Sequence, residues 1–230
     1  MIKENLSRVK ENIVKACERV GRDPSEVTLI AVSKTKPVSM MEEVLGEGTL
    51  TFGENKVQEI CNKYEQLPKD VHWHLIGHLQ RNKVKQIIDK VELIHSVDSI
   101  KLAEQINEEA SKKGLVVPVL IQVNIAKEDT KYGFMEEEVF SALEAISKMS
   151  HVKVKGLMTI APFTENPEEN RVHFQNLKKL YVDINCKNID NINMDILSMG
   201  MTGDYEVAIE EGATMVRVGT GIFGERNYNK

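Results

Sequence analysis

Short apolar runs rich in β-branched residues alternate along the chain with longer stretches in which apolar residues recur every three or four positions. Eight such runs can be delimited: Val27 to Ser33, Leu50 to Gly53, Val71 to Ile76, Glu92 to Val97, Val116 to Asn124, Val152 to Thr159, Met194 to Met199 and Thr214 to Val218. The stretches Asn55 to Leu67, Ile100 to Lys113, Glu136 to Met149 and Glu168 to Lys187 carry helical spacing. A further helix precedes the first run, with Ile2, Leu6, Val9, Ile13, Cys17 and Val20 on one stripe. Strand followed by helix, repeated, implies parallel pairing with right-handed crossovers. The runs are continuously apolar, as expected of strands packed on both faces. Eight strands are the number that closes a barrel, so the pattern predicts the α/β class: a single (β/α)8 TIM-type barrel with an extra N-terminal helix, one domain over residues 1 to 230. An open doubly wound sheet would place a glycine-rich turn after its first strand, and here that run ends in lysine.

Composition narrows the function classes. The chain has 230 residues, 41% hydrophobic and 28% charged, with a formal net charge of −5. These values describe a sizeable core under an ordinary surface and argue against a nucleic-acid partner. The basic cluster Arg81-Asn-Lys-Val-Lys85 is short and reads as a solvated helix face. The N-terminus Met1-Ile-Lys-Glu-Asn5 lacks an apolar signal core, and no stretch approaches the ~20 apolar residues of a spanning helix, so the expectation is a cytoplasmic protein with no membrane partner. Cys17, Cys61 and Cys186 are odd in number and widely spaced, which suits reduced thiols and not a disulfide framework.

In a (β/α)8 barrel the chemistry is built at the C-terminal ends of the strands. The first six runs end at Lys34, Asn55, His78, Ser96, Asn124 and Thr159, and the last two end in glycine-rich turns, Ser198-Met-Gly-Met-Thr-Gly-Asp204 and Arg217-Val-Gly-Thr-Gly-Ile-Phe-Gly224. Paired turns of this kind can converge backbone N–H groups on a phosphate, and Thr202 is expected to cap a helix from Gly203 to Gly212. A lysine facing a phosphate cup suggests a Schiff base to a phosphorylated aldehyde. Lys34 and Lys36 both qualify, and Lys34, nearer the strand, is the preferred amine. Arg217 places a charge inside an apolar run, which is costly without a partner; a structural ion pair is the plain alternative to a ligand. His72, His74 and His78 invite a zinc site, yet no carboxylate of suitable spacing accompanies them, and a buried, hydrogen-bonded His74 is the stronger reading.

The segments Ala31-Val-Ser-Lys-Thr-Lys-Pro37, Phe52-Gly-Glu-Asn-Lys-Val-Gln-Glu59, His72-Trp-His-Leu-Ile-Gly-His-Leu-Gln-Arg-Asn-Lys83, Gly156-Leu-Met-Thr159, Ser198-Met-Gly-Met201 and Arg217-Val-Gly-Thr220 resemble, in order, those of the pyridoxal-phosphate homeostasis proteins, the YggS/PROSC family. The resemblance spans nearly the whole chain. It implies a barrel like the N-terminal domain of alanine racemases, with pyridoxal 5′-phosphate on Lys34, its phosphate at the Ser198 and Gly219 turns, and Arg217 near the pyridine nitrogen. The cofactor-binding set is then Lys34, Asn55, Ser198, Gly200, Met201, Arg217, Gly219 and Thr220. The implied role is cofactor binding and vitamin B6 homeostasis without an established reaction, in a monomer that has cofactor-dependent enzymes as transient recipients. Thr202 stands where the family usually has serine, and Gly221 where alanine is common. An amino-acid racemase-like enzyme is the alternative; by resemblance such racemases use a second domain and a partner subunit to supply an opposing base, and the barrel is expected to consume this chain. A cofactor-free Schiff-base aldolase is a third reading, separable by the colour of the purified protein.

Overall fold

A computed structural model describes residues 1 to 225. All eight apolar runs are strands, because β-branched residues buried on both faces favour extended backbone over helix. The elements follow in the order α1 (Ile2–Arg19), β1 (Thr28–Val32), α2 (Val38–Gly46), β2 (Thr51–Glu54), α3 (Val57–Tyr64), β3 (His72–Leu75), α4 (Val84–Ile87), β4 (Leu93–Val97), α5 (Ile100–Lys113), β5 (Val117–Gln122), α6 (Val139–Ile146), β6 (Val152–Met158), α7 (Arg171–Lys187), β7 (Ile192–Met201), α8 (Tyr205–Glu210), β8 (Met215–Val218) and α9 (Thr220–Phe223). The strands pair in parallel in sequence order, and β8 closes on β1 with Ile30 opposite Arg217.

The pleat sorts each strand into a helix-facing and an interior set. Phe52 and Trp73, paired across β2 and β3, lie on the helix side, with ring centroids 6.3 Å apart. Leu93, Leu120 and Met158 form a separate apolar cluster inside the barrel with Ile160, Ile196 and Met215 packed against it. Two residues further along their strands, β4, β7 and β8 carry polar side chains inward: His95, Ser198 and Arg217. The interior is thus an apolar layer with a polar layer nearer the C-terminal ends, where barrel sites form.

Helix α5 spans the expected residues; α3, α6 and α7 begin later than their patterns suggest, the last two behind short 3-10 turns at Glu136–Glu138 and Pro167–Asn170. The apolar stripe of α1 is buried from Ile2 to Cys17, and Val20 falls outside it at 43% exposure because the helix ends at Arg19. That stripe lies over α8 and α9. Asn5 donates to the Ile222 carbonyl at 3.1 Å, Asn12 to the Tyr205 hydroxyl at 3.1 Å, and Arg19 pairs with Glu206 and Glu210. The N-terminal helix therefore braces the two short helices that follow the last strands. Cys17, Cys61 and Cys186 are free thiols, and no described helix is long and apolar enough to cross a membrane.

Candidate functional site

Register drives Arg217 into the barrel, where it is 4% exposed. Burial pushes its guanidinium down to about 10 from the ordinary arginine range, the Asp204 charge opposing that shift. Nη1 donates to Ser198 Oγ at 2.6 Å and Nη2 to the Thr159 carbonyl at 2.7 Å. Both partners are neutral, and among the described residues no carboxylate forms an ion pair with this cation.

A guanidinium only donates, so the Ser198 hydroxyl accepts from Arg217 and has its proton to give to His95 Nδ1, 3.0 Å away. His95 Nε2 lies 2.8 Å from His74 Nδ1. Burial holds His74 down at about 4, and holds His95 well below the usual histidine range with help from the neighbouring His74 and Arg217. Both rings are neutral. The chain Arg217–Ser198–His95–His74 therefore has one donor direction, running away from the cation, and it orients Arg217 across the interior.

The turns after β7 and β8 meet above this layer. Between Ser198 and Met201 strand β7 carries one residue more than the facing stretch Met215 to Arg217, and the bulge is taken up at Gly200, φ 90°. A Cβ there would lie 2.6 Å from Ala208 Cβ and 2.9 Å from Tyr205 Cα, so only glycine lets the turn rest on α8. Asp204 ties the turn down, accepting from the Met201 N–H at 2.7 Å and from Asn170 Nδ2 at 2.8 Å. Thr202 does not cap the following helix, which begins at Tyr205 behind Asp204. Its Oγ1 instead accepts from the Gly219 and Gly221 N–H groups at 3.2 and 3.3 Å. The two turns are joined by one oxygen with two amides aimed at it. Gly219 also packs on β1: a Cβ there would reach Val32 at 3.4 Å.

Lys34, half-buried, follows β1 by two residues. Lys36 is drawn elsewhere, its Nζ donating to the carbonyls of Phe223, Gly224 and Glu225 beyond α9 at 3.3, 3.1 and 3.3 Å. The structure thus separates two lysines that strand parity leaves equivalent. Asn55 stands at the end of β2, half-buried, with Gly77 pressed on its backbone. The candidate residues Lys34, Asn55, Ser198, Gly200, Met201, Arg217, Gly219 and Thr220 all lie at the ends of β1, β2, β7 and β8, which are contiguous in the barrel. Within that set Ser198 lies below the turns, its hydroxyl engaged by Arg217 and His95; Met201 and Thr220 are exposed.

Most of the other strand-end residues are engaged in structural contacts. Ser96 is inside β4, and its buried hydroxyl has no hydrogen-bond partner among the described residues; its neighbour His95 faces the interior. Asn124 clasps its own loop through Glu128, and the Thr159 hydroxyl bonds the Val123 carbonyl. The three histidines diverge: His72 pairs with Glu92, His74 with His95, and His78 with Asp98 at 2.7 Å while stacking on Tyr132. Among the described residues no group of three or more His, Cys, Asp or Glu is arranged to hold a metal ion.

A (β/α)8 barrel with a lysine beyond β1, a buried arginine on β8 and two joined glycine turns defines a class, and comparison with known proteins agrees. Residues 5 to 227 match the family described as alanine racemase, N-terminal domain. A pyridoxal phosphate homeostasis protein of Aquifex aeolicus (strain VF5) is 48% identical over 98% of both chains. One of Escherichia coli (strain K12) is 37% identical over 100% of this chain and 98% of its own. The solved structure of PipY from Synechococcus elongatus PCC7942 with PLP bound superposes with a TM-score of 0.84 at 34% identity, covering 97% of this chain and 100% of that one. The chain belongs to the pyridoxal phosphate homeostasis family of alanine racemase N-terminal-domain barrels.

Proposed function

We propose that this protein holds and releases pyridoxal 5′-phosphate in vitamin B6 homeostasis, bound as a Schiff base through the Lys34 ε-amine, without turning over amino acids. The observation that carries the reading is a buried guanidinium with only neutral partners, beside two turns whose amides already converge on an oxygen at Thr202. A buried cation of this kind calls for an anionic or electron-rich ligand. The residues fit the group. The β7 and β8 turns would receive the phosphate, which would have to take the Gly219 and Gly221 amides over from Thr202 Oγ1, Arg217 with its unused donors would face the pyridine nitrogen, and Asn55 would border the ring. The cofactor, when bound, supplies an electrophilic aldehyde and a ring that can accept electrons. Arg217 stays protonated at neutral pH even at its lowered pKa, so it would donate to the ring nitrogen and would keep that nitrogen without a proton, weakening the ring as an electron sink. Holding the cofactor is thereby favoured over carbanion chemistry. The protein is further proposed to be a cytoplasmic monomer that delivers the cofactor to enzymes dependent on it.

Purified protein should absorb as a pyridoxal phosphate imine, and borohydride reduction followed by peptide mapping should find the pyridoxyl group on Lys34. Label on Lys36 or Lys131 in the wild-type protein overturns the assignment. Incubation with each amino acid should give no sustained racemisation or decarboxylation. Multiple turnovers abolished by Lys34→Ala would make the racemase-like reading correct.

A further inference from the structure

Lys34 lies between two residues whose polar groups are gripped from the helix side of the barrel wall. Ser33 Oγ donates to Glu54 Oε1 at 2.6 Å, and the Ser33 carbonyl accepts from Lys63 Nζ at 2.9 Å. The Thr35 N–H donates to Glu59 Oε2 at 2.7 Å. Lys63 Nζ joins the two acids, 2.6 Å from Glu54 and 3.4 Å from Glu59. Gly53 faces the interior, so the pleat sends Glu54 outward under α3, fully buried. Among the described residues its Oε2 has no hydrogen-bond partner, and burial pushes its carboxyl up to about 7.

Where the apolar core between strands and helices would otherwise continue, a buried acid–amine pair carries a desolvation cost that apolar packing avoids. Its contacts run to the Ser33–Thr35 turn. Thr35 holds φ at 64°, a left-handed conformation that a threonine keeps only when its surroundings impose it. The Glu59 carboxylate on its N–H supplies that constraint. Thus the segment Phe52-Gly-Glu-Asn-Lys-Val-Gln-Glu59, with Lys63 one helical turn further on, reaches back to the residues on either side of the candidate cofactor lysine.

We propose that Glu54, Glu59 and Lys63 are positioning residues that clamp the Ser33–Thr35 turn from behind the barrel wall and set the aim of the Lys34 ε-amine. The proposal rests on the reading of Lys34 as the cofactor-bearing lysine. Glu59→Ala tests it first, because Glu59 is only half-buried and its loss leaves the Glu54–Lys63 pair in place. In the cofactor-free variant, circular dichroism should match wild type and the melting temperature should fall by only a few degrees, while the Thr35 amide exchanges faster by about tenfold and the dissociation constant for pyridoxal phosphate rises by about tenfold, for one lost hydrogen bond to a charged acceptor. Glu59→Gln, whose amide oxygen can still accept from Thr35, should restore both. A folded Glu59→Ala protein with wild-type Thr35 exchange, or with faster exchange and an unchanged dissociation constant, overturns the clamp. Borohydride mapping of the wild type keeps the two failures apart: label on a lysine other than Lys34 refutes the cofactor reading, whereas label on Lys34 with an unmoved dissociation constant refutes the clamp alone.

Discussion

At Gly221 a methyl group would lie 2.9 Å from Val218 Cγ1 and 3.1 Å from Thr202 Cγ2. By resemblance, related chains commonly carry alanine at this position and serine at 202. The threonine methyl is the second of two neighbours that an alanine at 221 would crowd, after Val218, so the two departures are expected to compensate each other in part. Gly221→Ala alone should disturb the joint between the turns, lowering the melting temperature and weakening pyridoxal phosphate binding in titrations. Thr202→Ser with Gly221→Ala should recover part of both, the Val218 contact remaining, with a non-additivity of about 1 kcal/mol as neighbours in contact show. Strict additivity in the double-mutant cycle would mean that the Thr202 contact is not what excludes the methyl. The hydroxyl shared by serine and threonine is the part that matters for the joint, since it accepts from Gly219 and Gly221.

At the scale of elements, the two glycine-rich turns are the ends of β7 and β8 held between helices. Helix α8 supplies the surface on which Gly200 rests, Asn170 and Asp204 anchor the first turn, and α1 lies over α8 and α9. Each amide donated to a phosphate oxygen is worth about 1.5–3 kcal/mol, so the turns are expected to supply most of the cofactor affinity. Pyridoxal, which lacks the phosphate, should bind far more weakly than pyridoxal phosphate. Gly200→Val forces a side chain into Ala208 and Tyr205 and should raise the dissociation constant for pyridoxal phosphate while leaving that for pyridoxal little changed. Equal losses for both ligands would show that the turn serves the whole site and not the phosphate.

Across the whole molecule, buried titratable groups give opposing pH dependences. His74, held at about 4 against an ordinary 6.5, binds fewer protons folded than unfolded between those values. Its contribution is present above pH 6.5 and is lost as pH falls towards 4, amounting to about 3 kcal/mol. His95 acts in the same direction. Glu54, raised from 4.5 to about 7, binds more protons folded than unfolded, so its contribution is present below pH 4.5 and is lost as pH rises through 7. Between about pH 5 and 6.5 two histidines outweigh one glutamate, and the melting temperature should fall on acidification. Glu54→Gln removes the opposing group and should steepen that fall; His74→Gln should make it shallower. A slope unchanged in both variants would show that these groups do not set the acid response.

Several features were legible because they depend on local chemistry. Two-sided burial writes each strand as a continuous apolar run, helical spacing fills the gaps, and eight repeats leave closure as the natural arrangement. The lysine after the first strand and the glycines after the last two are visible for the same reason. What the chain order cannot show is which distant groups meet. Ser96 stands out as a strand-end hydroxyl, yet the pleat, which shifts register between Ile94 and Val97, turns His95 inward instead. Thr202 reads as a helix cap because its nearest helix is the local partner, whereas barrel closure offers it the amides of Gly219 and Gly221. Lys34 and Lys36 are equivalent until the carbonyls after α9 claim Lys36, and Glu54 and Lys63 become a pair at the Ser33 turn only when α3 packs behind β1 and β2. By itself the sequence determined the number, order and direction of the elements and the residue types at their ends, since these follow from periodicity and backbone preference. The tertiary structure alone decided the partners, because hydrogen bonds between residues tens to hundreds of positions apart depend on closure and register, which no local pattern encodes.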